Sequence, residues 1–168
     1  MGLTQFAPSP MRPPLTGDAS LSMPSARGLL SFEQALTDAS PTELLEIAQR
    51  FPEVECPFEP CGPYVTVQDM LPVERTKGGL VLPDVSQDMA AYRQSIARVI
   101  KVGPTAGFDD VIGDLVPNWP WFAPGNFVKI SQYSTTRSRG GKGKVVWRQM
   151  HWREIYAKIS SAREVLSD

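Results

Sequence analysis

Few of the side chains in this 168-residue sequence are of types that could do chemistry together. Cys56 and Cys61 lie in the motif CPFEPC, far in sequence from His151, which is the only histidine. Nothing in that spacing favours a thiol–imidazole pair, and two thiols cannot complete a tetrahedral zinc site. We therefore interpret the cysteines as ordinary reduced thiols in a turn, with a local disulfide as the alternative.

An acidic cluster and a glycine-rich stretch are two further places where a ligand could bind. Asp109, Asp110 and Asp114 occur in FDDVIGD, which lacks the alternating oxygen ligands of a calcium loop. A solvated loop is the prediction there. The glycines of RSRGGKGK do not lie between a strand and a helix, as a phosphate-binding loop requires. The sequence thus predicts a protein that is not an enzyme and has no cofactor and no metal site.

Basic residues cluster in and around the stretch RSRGGKGK, with no acidic residue between them. The cluster could contact phosphate or a negatively charged partner, but a solvated hairpin tip between two strands is the interpretation that we favour. The formal net charge of −1 gives no overall attraction to nucleic acid or to a membrane, so neither is an expected partner. The members of the cluster are Arg137, Arg139, Lys142, Lys144 and Arg148.

Aromatic residues are concentrated in VPNWPWFAPG, where the prolines prevent a regular strand or helix. Trp119, Trp121 and Phe122 must therefore be positioned by a loop. Such side chains either pack down on the fold as a plug or form a contact surface for a partner. The sequence leaves both alternatives open.

The elements that must position these residues begin after an N-terminal arm. Residues 1–30 are rich in proline and show no sustained period, which predicts an extended arm. Residues 31–61 are expected to form two short amphipathic helices and a linker. The second helix is marked by Ser40 as its cap, by Pro41 at its first position and by Glu43, which completes a capping box.

Residues 62–159 have the pattern of a small β domain. The segments YVTVQDM, SIARVIKVG, GNFVKIS and KVVWRQM are rich in β-formers, and EIYAKI fits a final strand or a helical turn. This pattern predicts a small antiparallel barrel or sandwich, followed by a C-terminal tail at residues 160–168. No apolar run is long enough to span a bilayer and no secretory leader is evident, so an intracellular location is expected.

The segment ERTKGGLVLPD, residues 74–84, lies between the first two predicted strands. As a core strand, residues 80–82 would be only three long, with two glycines before them and a proline after them. As a displayed segment, their aliphatic side chains offer on the order of a few kcal/mol of transfer free energy. Ordering the loop offsets much of this gain, so each copy would bind weakly and several copies would have to act together.

In this order of elements the chain resembles a co-chaperonin of the GroES type. The resemblance rests on GPYVTVQDMLPVERTKGGLVLPD, SIARVIKVGP, APGNFVKIS and VVWRQMHWREIYAKI, which follow the order of that family's strands and mobile loop. It implies a mainly β fold, with a small GroES-like antiparallel β-barrel over residues 62–159. It also implies that the mobile loop binds the partner through a glycine hinge and three aliphatic anchors, which are Gly78, Gly79, Leu80, Val81 and Leu82.

The same resemblance implies a homo-oligomeric lid, a heptamer, that binds an ATP-bound chaperonin ring in the host cell cytoplasm and assists protein folding without chemistry of its own. Residues 1–61, the aromatic segment and the basic loop have no counterpart in a minimal co-chaperonin, which indicates a phage-encoded variant. The alternative function is a virion structural protein, a capsid-decorating or connector subunit bound to major capsid or neck proteins. An exposed Leu-Val-Leu favours the lid.

Overall fold

The computed structural model describes residues between 32 and 167, and within that part of the chain no helix is long and apolar enough to cross a membrane. The predictions for the N-terminal arm, for Gly78 and Leu82, and for Lys142 and Lys144 lie outside the described residues. The described ranges are 32–72, 79–81, 83, 95–131, 136–139 (backbone only) and 145–167.

The described residues form a mainly β fold, as the sequence predicts. A six-stranded antiparallel sheet has the order β6-β7-β1-β2-β5-β8, and β3 pairs with β4 in a separate two-stranded hairpin. Among the described residues, β6 and β8 lie at the two ends of this order and do not pair with each other. The described strands therefore do not form a closed barrel. The strands are β1 (Tyr64–Asp69), β2 (Ile96–Val102), β3 (Phe108–Asp109), β4 (Asp114–Leu115), β5 (Phe127–Ile130), β6 (Thr136–Arg139), β7 (Val146–His151) and β8 (Ile155–Ile159).

The central strands β1 and β2 are buried on both faces of the sheet. In β2, Ile96 belongs to one apolar cluster, while Ala97 and Val99 belong to another. Residues of β1 are also almost fully buried, including Val65 and Val67. A sheet covered on both sides needs no polar face, which explains why SIARVIKVG shows no clean alternation. The segment EIYAKI, for which a strand or a helical turn was expected, forms strand β8.

The helical residues cover one face of this sheet. A helical turn occupies residues 32–35, helix α1 spans Pro41–Arg50, and helix α2 spans Ala162–Leu166. The predicted capping box of α1 is present, since the Ser40 Oγ accepts a hydrogen bond from the Glu43 amide and the Glu43 carboxylate accepts one from the Ser40 amide at 2.8 Å.

Three phenylalanines join the helices to the sheet. The ring of Phe127 in β5 lies 5.8 Å from that of Phe32 in a stacked arrangement and 5.1 Å from that of Phe51 edge to face. All three are fully buried. On the neighbouring strand, the guanidinium of Arg98 lies 4.4 Å from the centre of the Phe32 ring, a cation–π contact. Burial lowers the pKa of Arg98, and the charge of Glu53 opposes that change.

Arg148 does not belong to the basic surface in which the sequence placed it. It lies in β7 and is fully buried, and its Nε donates a hydrogen bond to the Asp69 carboxylate at 2.7 Å. Asp69 ends β1, the neighbouring strand, and is itself almost fully buried. The ion pair therefore links β7 to the central strand β1 from inside the sheet. Alternation along the basic stretch could not reveal this, because the partner lies 79 residues away in sequence.

Removing the guanidinium should destabilise the fold severely. Arg148→Met leaves the Asp69 carboxylate buried without the cation that faces it, and losing one partner of such a pair costs about 3–5 kcal/mol. Urea unfolding followed by circular dichroism measures the change in the free energy of unfolding. Glu59→Gln is the control, because it breaks the exposed ion pair between Lys101 and Glu59 and should change stability far less. Equal effects of the two substitutions would contradict this assignment.

Asp38 joins the start of α2 to the loop before α1. Its carboxylate accepts hydrogen bonds from the Ala162 amide and from the Ser161 hydroxyl, both at 2.8 Å. Ser161 is the N-cap residue of α2 but makes no capping hydrogen bond with its own side chain, so Asp38 satisfies the first turn instead. The hydrogen bond from Ala162, followed by that from Ser161, holds the pKa of Asp38 below its ordinary value of 3.8.

The stability contributed by the Asp38 charge should disappear in acid. A carboxyl group whose pKa is lowered in the folded state stabilises the fold above its ordinary pKa, and that contribution is lost as the pH falls through the folded-state value. Asp38→Asn should therefore be less stable than the natural chain at neutral pH, with the gap closing below pH 3.8. Thermal unfolding at a series of pH values tests this. A gap that stays constant with pH would be inconsistent with the charge being responsible.

Candidate interaction surface

The segment between β1 and β2 presents two adjacent aliphatic side chains. Leu80 is 71% exposed and Val81 is 63% exposed, and Val81 forms a single β-bridge. Gly79 before them has a φ of +81°, and an added Cβ would meet nothing within 4 Å. A glycine is favoured at this position because of its backbone conformation, since L side chains rarely adopt that φ.

The aromatic segment packs on the fold as a plug, and one of its rings reaches the surface. Phe122 is buried in the core beneath the sheet, and Trp119 is partly buried against it. Trp121 stays 41% exposed, although its ring lies 5.7 Å from that of Trp152. Trp119 contacts the rings of all three of these residues, at centroid distances of 5.3 to 5.9 Å. The segment is thus a plug whose outer edge forms part of the surface.

Gly107 gives Trp119 the space that it occupies. The φ of Gly107 is +83°, and a Cβ at this position would lie 2.1 Å from Cδ2 of Trp119. The indole therefore packs directly on the backbone. Two requirements, a left-handed backbone and the absence of a side chain, both select glycine at this position.

The predicted solvated loop FDDVIGD is a hairpin instead. Phe108 pairs with Leu115, and Asp109 pairs with Asp114. The Asp109 carboxylate accepts a hydrogen bond from the Val111 amide at 2.8 Å, which closes the turn locally. The expectation of a loop was wrong because four residues of irregular turn are enough to bring the two short strands together.

Two aliphatic residues at the tip of this hairpin were missed by the sequence analysis. Val111 is 93% exposed and Ile112 is 61% exposed. The signal was present, because adjacent β-branched residues between Asp110 and Gly113 fall in a turn that cannot bury them. Neighbouring Phe108 and Leu115 are also more than 40% exposed. An apolar surface of this kind, separate from Leu80 and Val81, is typical of a contact site.

Four aromatic side chains form a continuous row, which we call the aromatic row. Its order is Tyr64, His151, Trp152 and Trp121, with centroids of adjacent rings 6.1, 5.8 and 5.7 Å apart. Tyr64 at one end is 49% exposed, and Trp121 at the other is 41% exposed. His151 accepts a hydrogen bond at Nδ1 from the Arg153 amide. Sequence reasoning missed three of the four, because they come from β1, β7 and the turn that follows β7.

An ion pair joins the aromatic row to the hairpin. The guanidinium of Arg153 lies 5.3 Å from the Trp152 ring and donates a hydrogen bond to the Asp109 carboxylate at 2.7 Å. The hairpin is therefore held beside the row. Its other two carboxylates, on Asp110 and Asp114, belong to exposed residues.

The remaining candidate residues do not assemble into a reactive site. Cys56 is buried and Cys61 is exposed, and both are free thiols. Arg137 and Arg139 lie on the edge strand β6. Among the described residues, no group of three potential metal ligands comes together. An open cleft of about 480 Å³ beside Arg98 has two carboxylates at its wall but no Cys, Ser, Thr, His or Lys among its lining residues, which include Glu53, Val54, Glu55, Gln68 and Ile100.

No protein-family model matches this chain, and no curated protein matches it significantly. Its function must therefore be argued from its own residues and surfaces.

Two glycine substitutions should separate backbone strain from the packing of Trp119. Gly107→Ala and Gly113→Ala both place a side chain at positive φ, which costs about 1–2 kcal/mol in each case. Only Gly107→Ala places a Cβ against the indole of Trp119. Its free energy of unfolding should therefore fall by a further amount of about 1–3 kcal/mol. Urea unfolding measures both losses, and near-ultraviolet circular dichroism should change for Gly107→Ala alone. Equal losses of stability in the two variants would show that the close packing of Trp119 on residue 107 does not contribute to stability.

Proposed function

We propose that this protein is a co-chaperonin-like lid subunit, which binds a chaperonin ring through the segment between β1 and β2. The observation that carries the proposal is the pair Leu80 and Val81. Two large aliphatic side chains are exposed side by side after a glycine at positive φ. They lie between the first two strands of an antiparallel sheet, which is where the GroES-type family carries its mobile loop.

The energetics of this pair fit reversible binding. Complete burial of a leucine or valine side chain contributes about 1.5–3 kcal/mol each. Fixing the backbone of each loop residue costs about 1–2 kcal/mol in return, so one copy alone binds weakly. Several copies on one ring bind together with a much higher avidity. A lid that must be released in every folding cycle needs this combination of weak contacts and many copies.

The two ends of the sheet support a ring-shaped assembly. In the GroES-type family the last strand of one subunit pairs with the first strand of its neighbour. Here β1 is already paired on both sides, with β2 and β7, so that arrangement cannot be copied unchanged. Among the strands that the structure describes, β6 and β8 lie at the edges. Pairing of β8 in one subunit with β6 in the next is a head-to-tail contact, which closes a ring when the rotation permits. We propose a heptameric ring on the resemblance to the family.

A charge at Val81 should abolish binding to the chaperonin. Val81→Asp would place a carboxylate in an apolar groove, and this cost is repeated in every copy of the ring. ATP-dependent co-sedimentation with a purified bacterial chaperonin measures the complex, and native mass spectrometry gives the stoichiometry. Val111→Asp is the matched control, because it adds the same charge to a more exposed valine outside the segment. If Val81→Asp binds the chaperonin as well as the natural chain does, the proposal is wrong.

The tip of the β3–β4 hairpin favours a second candidate function. Val111 and Ile112 give the subunit an apolar contact that is separate from Leu80 and Val81. A virion structural protein, such as a capsid-decorating or connector subunit, must contact several neighbours and uses such additional surfaces. Val111→Asp is then expected to prevent incorporation into virus particles, while Val81→Asp affects neither incorporation nor chaperonin binding. That result would support the virion structural protein over the lid subunit.

A further inference from the structure

His151 caps the short turn that carries Arg153. It is the only histidine of the chain, and it ends strand β7. Its Nδ1 accepts a hydrogen bond from the Arg153 amide at 3.2 Å, and the turn Trp152–Glu154 begins directly after it. An amide N–H can only donate, so Nδ1 must offer a lone pair. Only the neutral imidazole has one, because both ring nitrogens carry hydrogen in the cation.

This turn positions the β3–β4 hairpin. The Arg153 side chain donates a hydrogen bond from Nη2 to the Asp109 carboxylate at 2.7 Å. The two strands of the hairpin have two residues each and pair with each other in a sheet of their own. A two-stranded hairpin is marginally stable by itself, so its position depends on the contacts that hold it. Its base is fixed by the packing of Trp119 on Gly107, and the ion pair holds the part beyond that base.

The charged and titratable groups around the imidazole come from three elements. Tyr64 on β1 contributes a phenol, whose ring lies edge to face at a centroid distance of 6.1 Å. The turn contributes the Arg153 guanidinium and the Glu154 carboxylate, and the hairpin contributes Asp109, which is paired with Arg153. The imidazole and the guanidinium lie 5.8 and 5.3 Å from the centre of the Trp152 ring. A positive charge on the imidazole is therefore opposed by the guanidinium at the same ring.

We propose that His151 is a pH-sensitive latch, whose protonation releases the contact between Arg153 and Asp109 and loosens the hairpin. Histidine is the side chain that changes charge between about pH 5 and 8. Protonation replaces the Nδ1 lone pair by an N–H group that faces the Arg153 amide, so the hydrogen bond that caps the turn is lost. The hairpin is thus held at neutral pH and loosened in mild acid. The proposal does not depend on the function proposed above.

Release changes the surface that the hairpin presents to a partner. Val111 and Ile112 at its tip are exposed apolar side chains. Ordering a mobile segment on binding costs conformational entropy, so a partner binds the tip more tightly when the hairpin is already held in place. Any complex formed through the tip should therefore be weaker in mild acid than at neutral pH.

Hydrogen exchange measured by mass spectrometry on the full chain tests the latch, with exchange times scaled for the intrinsic effect of pH. The amides of Val111 and Gly113 are hydrogen-bonded to Asp109, so they report on the hairpin. From about pH 7.5 to about pH 5.5, their protection should fall by a factor of about two to ten. This factor corresponds to the loss of one hydrogen bond. Helix α1 serves as the internal reference, and its protection should stay constant.

Two substitutions separate the histidine from the other groups that titrate in acid. His151→Asn is the matched variant, because the asparagine side-chain oxygen can accept the same amide hydrogen bond at every pH. It should keep the hairpin protected at both pH values. The hairpin carboxylates remain in this variant, so a response that comes from them would persist in it. Arg153→Gln removes the ion pair and should leave the hairpin poorly protected at both pH values.

A measurement on the natural chain keeps the test decisive if a variant does not fold. The chain has one histidine, so its imidazole resonances in an NMR titration belong to His151 alone. The loss of hairpin protection should follow the same titration curve. Midpoints that differ by about one pH unit or more overturn the proposal, because such a gap is a tenfold difference in proton affinity. Equal pH responses of the natural chain and His151→Asn also overturn it, as does protection in the natural chain that does not change with pH.

Discussion

The burial of β1 and β2 on both faces is the constraint on which the rest of the structure depends. Strands that are buried on both faces cannot be stable in an isolated sheet, because each face needs a covering layer. One face is covered by the helical residues through the contacts of Phe32 and Phe51 with Phe127. The other is covered by the aromatic segment through Phe122 and Trp119. Segments that look like additions to a minimal β domain therefore supply the two outer layers of its core.

This arrangement determines which residues remain for binding. Because the aromatic segment covers the sheet, Phe122 is buried, Trp119 is partly buried and Trp121 is the most exposed of the three rings. The ion pair of Arg153 with Asp109 then places the hairpin beside it. Leu80 and Val81 lie in a different connection, between β1 and β2, and contribute to neither apolar layer described above. The described residues thus expose apolar side chains in two different connections of the fold.

The buried ion pair shows why charge cannot be assigned to a surface from sequence alone. Arg148 follows a run of basic residues and looks like their continuation, yet β7 pairs with β1 and brings it to Asp69. The same pairing places Tyr64 beside His151 and so begins the aromatic row. Each of these contacts joins residues that are far apart in sequence. No local period or composition contains that information, because the periodicity of a strand reports its own faces and not the identity of its neighbour.

The sequence by itself determined the mainly β class, the positions of the main strands and the capped helix α1, since these follow from local propensity, turn residues and the capping box. It also predicted residues 74–84 to be a displayed segment, and the two aliphatic residues described there, Leu80 and Val81, are exposed. Only the tertiary structure decided that β6 and β8 end the sheet among the described residues, that Arg148 is buried and that the aromatic segment packs on the fold with only Trp121 strongly exposed. Those outcomes depend on long-range pairing, which sets the environment of every side chain after its local conformation is fixed.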